Sequence, residues 1–448
     1  MTAVPAKKGP AQLLPLLYLG AAHVALMAAC AFAALWPRSV AGFFYHSWLI
    51  GLVHLVTLGW ITFSILGAIF IVGPLALRIE MPARRGDYVA YAVAVIGVIG
   101  MVGHFWIEEY AGMAWSAGTV AAGVIYTTIR IVRAVRRAHI QPAVRLHIVL
   151  ACANFWIAAS MGLLVAIDKA APFLPGFVLS NVFAHAHLAA IGWATLMVVG
   201  VGYRLLPMTF PSKMPTGRSI YATAVLLEGG VLGLFVSLMV GSSWALFSGA
   251  LIVAGVVVFA AHVAWMIRRR VPKPVGLPRI QFGLLHAASA GLCLAAAAAI
   301  GLALLVLPRS PATLRAAAAY GVLGLLGFLA QMVVAMEARL LPMVAWFWSY
   351  ARNGYRVPPP SPHVVRDRSL QAIVFIAWTI GVPALAGGMA FESAPLVALG
   401  ASALFVGVAV GGLDNALVVG QAAAGAEAPA LPRVARRRRP PLGHPAAL

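Results

Sequence analysis

Twelve apolar runs, each long enough to cross about 30 Å of hydrocarbon at ~20 residues per helix, dominate this chain. They fall at about 13–36, 46–77, 88–110, 112–134, 144–167, 179–206, 219–240, 243–267, 281–307, 313–343, 369–391 and 394–420. The expected fold is an all-α membrane protein of twelve transmembrane helices. Composition agrees: 62% of residues are hydrophobic and 10% charged, against about 25% charged in soluble domains. A pair of water-soluble domains is excluded.

The loops set the expected orientation. Those after even-numbered helices are basic, with Arg84 and Arg85, Arg136 and Arg137, Lys213 and Arg218, Arg268–Arg270, and Arg366 and Arg368. Those after odd-numbered helices are poor in positive charge and hold Glu108, Glu109, Asp168 and Glu392. The positive-inside rule then places both termini in the cytoplasm of a bacterial inner membrane. The net charge of +21 is topogenic on this reading, and nucleic acid is not an expected partner, since no basic patch is interleaved with exposed aromatics.

Residues 1–12 are the expected cytoplasmic N-terminus. The run after them exceeds a signal-peptide core and reads as a retained first helix. Residues 421–448, rich in Ala, Pro and Arg, read as a disordered basic tail. Cys30, Cys152 and Cys293 are too far apart for a CxxC motif and read as small core residues.

An internal repeat organises the helices. Ser180–Met208 carries Gly192-Trp193 and ends at Pro207; weaker copies surround Gly59-Trp60 and Gly327-Phe328. Gly59 and Pro74, Gly192 and Pro207, and Gly327 and Pro342 are each 15 positions apart. His54 and His187 lie five residues before the first two glycines, and Val322 stands there in the third copy. The period of about 134 residues divides the 13–420 membrane domain into three sets of four helices, at about 13–135, 144–268 and 281–420. The plan is a pseudo-threefold 4+4+4 arrangement. Three copies running in one direction differ from the inverted repeats of many transporters. The Gly-aromatic pairs read as helix-packing devices.

Ionisable groups inside a span are costly and default to functional hypotheses. His54 lies roughly 11 Å below the outer end of helix 2 at 1.5 Å per residue. His185 and His187 sit at comparable depth in helix 6, with His104 near the outer end of helix 3 and His46 at the mouth of helix 2. Neutral imidazole suits haem iron and copper, so His54, His187, His185 and His104 are the candidate cofactor ligands and His185 and His187 the candidate metal ligands. Side chains at 185 and 187 project about 200° apart, so one faces the site and the other a neighbour. Glu228, Gln331, Glu337 and Asp414 are expected to pair across helices, and Arg204 and Arg339 to snorkel at the cytoplasmic ends.

The pseudo-threefold plan, the helix 2 His54 in VHLVTLGW and the helix 6 HAHLAAIGW stretch together resemble subunit I of the haem-copper oxidase superfamily, which includes cytochrome oxidases and nitric oxide reductases. The resemblance implies haem b on His54, with copper on His187 or His185. It further implies electron donation by a quinol or a periplasmic cytochrome, O2 or NO as the small ligand, and association with other oxidase-type subunits. The family's helix 7 and helix 10 histidines have no counterpart in 219–241 or 313–343, so an oxygen-reducing oxidoreductase site is incomplete by direct carry-over. A WHAHE-like helix 2 motif, found in twelve-helix NO-response membrane proteins, is also absent. A cofactor-free scaffold or assembly subunit and a transporter using intramembrane histidines are the alternative functions.

Overall fold

The computed structural model describes residues 13–272, 280–352, 354–356, 358–359, 362 and 366–424. The 1–12 segment and the basic tail beyond 424 lie outside the described residues. Among those described, twelve helices are long and apolar enough to cross a membrane, and there is no strand. They are α1 (Leu13–Leu35), α2 (Ser47–Leu77), α3 (Arg85–Trp106), α4 (Tyr110–Arg137), α5 (Pro142–Ala170) and α6 (Val178–Thr209). The second half comprises α7 (Ser219–Val240), α8 (Ala245–Arg268), α9 (Phe282–Val306), α10 (Pro311–Arg352), α11 (Arg368–Ala390) and α12 (Ala394–Ala422). The sequence runs locate all twelve. The protein is an all-α, multi-pass membrane protein.

The repeat has a precise backbone counterpart. Each of α2, α6 and α10 breaks from α-helical to π-helical pairing for eight residues, at Leu55–Thr62, Leu188–Thr195 and Leu323–Ala330. Gly59, Gly192 and Gly327 are the fifth residue of each segment. π-segments are rare and concentrate at functional sites. Here each glycine admits the first helix of its own set. A Cβ on Gly59 would strike Ala25 Cβ of α1; on Gly192 it would meet Asn154 of α5 at 2.9 Å, and on Gly327 Cys293 of α9 at 2.8 Å. The Gly-aromatic pairs are therefore packing devices, as their residue types indicate.

Two of the aromatic partners tie the three copies together. Trp193 donates its indole N–H to Thr62 Oγ1 at 3.2 Å, and Trp60 donates to Ala330 O at 3.2 Å. Thr62 and Thr195, at matching positions, donate their hydroxyls to Thr57 O and Ala190 O, five residues back, at 2.9 Å each. These bonds satisfy carbonyls along the loosened ladder. A second tier of contacts runs in the same rotational sense at the other end. Arg204 Nε donates to Ala76 O at 2.8 Å, and Arg339 Nη2 to Met208 O at 3.1 Å. Snorkelling therefore does not account for these arginines: each guanidinium reaches the carbonyls beside the preceding copy's proline.

These contacts separate two regions. At the end where α2, α6 and α10 begin, the helices diverge around a central cavity. Towards the end where they reach their prolines, α1, α10, α11 and α12 enclose a buried polar cluster of His23, Glu337, Arg366, Asp414 and Asn415. Arg366 pairs with Asp414 and donates to Asn415 Oδ1 at 2.6 Å, and Asn415 Nδ2 donates to Glu337 Oε2 at 2.9 Å. His23 Nε2 lies 3.5 Å from Glu337 Oε2. The expected cross-helix pairing of intramembrane polar groups is met throughout: Gln331 meets His286 at 3.3 Å, and Asn154 donates to Glu228 at 2.7 Å.

Candidate functional site

The central cavity has a volume of about 410 Å³, within the roughly 300–1,000 Å³ of small-molecule sites. Its wall is aliphatic and aromatic, built from α1 to α6 together with α10 to α12, and it carries His54, His185, His187 and Tyr320. The π-segments form its floor through Ile61, Trp193 and Leu329 among others.

The three imidazoles share one hydrogen-bonding arrangement. His54 Nδ1 lies 2.8 Å from Ile50 O, His187 Nδ1 2.7 Å from Phe183 O, and His185 Nδ1 3.0 Å from Ala158 O. A carbonyl only accepts, so Nδ1 carries the proton in each ring and Nε2 carries the lone pair. This is the anchoring that fixes a ligating imidazole's tautomer and orientation. For His54 and His187 the carbonyl belongs to the residue one helical turn back. For His185 it belongs to α5, where Gly162 leaves room for the ring: a Cβ there would sit 2.7 Å from His185 Cε1.

The lone pairs differ in use. Nε2 of His54 and of His185 has no protein partner among the described residues, and both rings line the cavity. His187 Nε2 instead accepts from Tyr320 OH at 3.0 Å, with the rings stacked at 5.8 Å between centroids. Tyr320 comes from α10, the copy without a histidine.

Of the residues singled out by sequence, the structure gathers His54, His185 and His187 on one cavity. It does not bring His104 there. That ring faces α4, with Nδ1 2.6 Å from Gly100 O and 3.2 Å from Ser116 Oγ, and Nε2 3.9 Å from Glu109. His46 lies at the start of α2, where its Nδ1 accepts from Leu49 N at 3.4 Å. Burial pushes its pKa down, and a backbone contact with Ser39 opposes that shift. The predicted divergence of residues 185 and 187 is seen in their partners: α5 for one, α10 for the other.

The chain matches no known protein-family model and no curated protein. The site must be read on its chemistry. An apolar chamber with imidazoles held in the ligating tautomer fits a haem, whose macrocycle needs apolar walls and whose iron takes imidazole nitrogen. The same residues fit a copper centre less well. Among the described residues no three His, Cys, Asp or Glu side chains converge on a point, and His187 Nε2 is engaged by Tyr320.

Two contributors escaped the sequence reading. Tyr320 lies in the apolar run at 313–343, which offers no histidine to mark it. Lys169, the one lysine or arginine among the described residues on the cavity wall, looks from sequence like a loop residue beside Asp168.

Proposed function

We propose that the central cavity binds a haem, with His54 and His185 as the imidazole ligands, in an inner-membrane protein that handles electrons or a small gas such as O2 or NO. The observation that carries this reading is the pair of cavity-lining imidazoles whose Nδ1–H groups are tied to backbone carbonyls and whose Nε2 atoms have no protein partner. Bound haem supplies reversible one-electron chemistry and a binding position for diatomic gases. The chain's own groups supply the rest. His54 and His185 offer neutral nitrogen donors without a rotamer search, because the carbonyls already fix the rings. The aliphatic wall excludes water. Tyr320 donates its hydroxyl proton to His187, which keeps that imidazole neutral and oriented beside the ligands. With both termini cytoplasmic, the cavity lies in the outer half of the membrane, within reach of a periplasmic cytochrome or a quinol.

A reduced-minus-oxidised spectrum and a pyridine haemochrome assay on detergent-purified protein from a haem-replete host test the proposal. The expected result is one b-type haem per chain, lost in His54→Ala and in His185→Ala. A colourless wild-type protein overturns it and favours a cofactor-free scaffold.

A further inference from the structure

The mouth of the cavity holds one positive charge with no acidic partner. Lys169, near the C-terminal end of α5, is the one lysine or arginine among the described residues that line the cavity, and no described Asp or Glu lines it. Its ammonium lies 4.5 Å from the ring centroid of Tyr110 and 5.4 Å from that of Tyr45. Tyr110 OH is in turn 3.0 Å from Ser47 Oγ. The adjacent carboxylate does not pair with it. Asp168 Oδ1 accepts from Phe173 N at 2.7 Å and from Leu174 N at 2.6 Å, which turns it into the following loop. Glu109, the next acid on that rim, caps α4 through Gly112 N at 2.5 Å. Among the described residues Lys169 has no salt bridge.

A half-buried ammonium resting on two aromatic faces is weakly held: cation–π contacts contribute about 0.5–1 kcal/mol at exposed sites. A carboxylate arriving in the cavity mouth offers a stronger, charge-assisted hydrogen bond. The aliphatic chamber below requires the remainder of the same ligand to be apolar. From the combination we infer that the cavity takes an amphipathic ligand with an anionic end, and that Lys169 is the residue that recognises that end. This rests on the haem reading and deepens it: the ligand class is a porphyrin with free carboxylates, its carboxylate edge directed to the mouth. Lys169 acts on affinity and orientation and does not touch the iron.

The test uses full-length apoprotein in detergent, titrated with haem and with haem dimethyl ester, whose carboxylates are blocked, and followed by absorbance and by quenching of tryptophan fluorescence. Wild type is expected to bind haem at least about tenfold more tightly than the ester, the scale of one charge-assisted hydrogen bond. Lys169→Met, which keeps the apolar stem, should lose that advantage while binding the ester as wild type does. Lys169→Arg should retain it. Ester binding by Lys169→Met also reports that the variant is folded. Equal affinity of wild type for both porphyrins, or a preference that survives Lys169→Met, overturns the inference while leaving the haem reading intact. Failure of wild type to bind either porphyrin overturns both.

Discussion

Trp193 of α6 donates its indole N–H to Thr62 Oγ1 of α2, and the same hydroxyl donates to Thr57 O within its own helix. One side chain thus satisfies a loosened helical ladder and ties two repeat copies together. Both partners are buried, so Thr62→Val leaves an indole N–H unpaired. Inter-helical hydrogen bonds in membranes average about 0.6 kcal/mol and reach about 1.7, while an orphaned buried donor costs about 1–3 kcal/mol. Thr62→Val is therefore expected to destabilise the protein by about 1–2 kcal/mol. A double-mutant cycle with Trp193→Phe should return a coupling of about 0.6–1.7 kcal/mol, measured by reversible denaturant unfolding in mixed micelles. Strict additivity would show that the bond carries no weight.

The glycines on these segments rank by what surrounds them. Gly59→Ala pushes a methyl hard against Ala25 Cβ, whereas Gly327→Ala meets Cys293 Cβ and Sγ at 2.8 Å, a milder overlap of which the thiol part can rotate away. Overpacking costs about 1–3 kcal/mol, and Gly59→Ala should fall at the upper end with Gly327→Ala below it. Ala25→Gly in the Gly59→Ala background should restore most of the loss. Thermal-shift measurements on the three variants check the order and the rescue.

The repeat was legible because its signal is strong and local: a glycine, an aromatic and a proline at fixed spacing in three apolar runs. Helix count follows from apolar length alone. The π-segments were not legible, because hydropathy barely changes when the helical period loosens. In hindsight the residue pattern Gly-Trp-x-Thr, with the threonine five residues after Thr57 or Ala190, marks them in two copies. The cavity was half legible. His54, His185 and His187 declared themselves as polar residues in apolar runs, but nothing in α10 announces that Tyr320 meets His187, since that contact joins residues 133 positions apart. His104 was grouped with them on depth, and depth along a helix says nothing about which face a side chain occupies.

That difference in face gives a discriminating prediction. His104→Ala is expected to leave haem content and spectrum unchanged, since its ring is occupied by Gly100, Ser116 and Glu109 outside the cavity. His54→Ala removes a free Nε2 from the wall and should abolish the pigment. Tyr320→Phe releases His187 Nε2 without deleting a proposed ligand, so pigment should persist with at most a small band shift. Parallel absorption spectra of the three variants separate these outcomes.

His46 gives stability a pH dependence. Its imidazole accepts from Leu49 N at the start of α2, a role that only the neutral ring can play. Its folded-state pKa is lowered, chiefly by burial, so the unfolded chain binds the proton more readily. Stability then rises as pH rises through the interval between the folded value and the ordinary value of about 6.5, and falls on acidification. His46→Asn retains a capping acceptor that does not titrate. Melting temperature should fall between about pH 7 and pH 5 in wild type, with a shallower slope in His46→Asn. Identical slopes would remove His46 from the account.

The pairing within the polar cluster towards the proline end predicts which substitution hurts most. Arg366 pairs with the Asp414 carboxylate, while the Glu337 carboxylate is reached by Asn415 Nδ2 and lies 3.5 Å from His23 Nε2. Arg366 also donates to Glu337 O at 2.9 Å, so it holds α10 and α12 through one head group. Arg366→Gln leaves the buried Asp414 carboxylate without its cation, and breaking a buried pair in that way costs about 3–5 kcal/mol. Asp414→Asn leaves Arg366 its bonds to Asn415 Oδ1 and to Glu337 O and should cost less, about 1–3 kcal/mol. Asp414→Asn introduced into Arg366→Gln removes the stranded charge and should recover part of the loss, whereas in wild type it should destabilise. Folded fraction after heating, read by size-exclusion chromatography of the four proteins, tests the sign of that interaction. If Arg366→Gln is milder than Asp414→Asn, the carboxylate does not depend on the guanidinium for compensation.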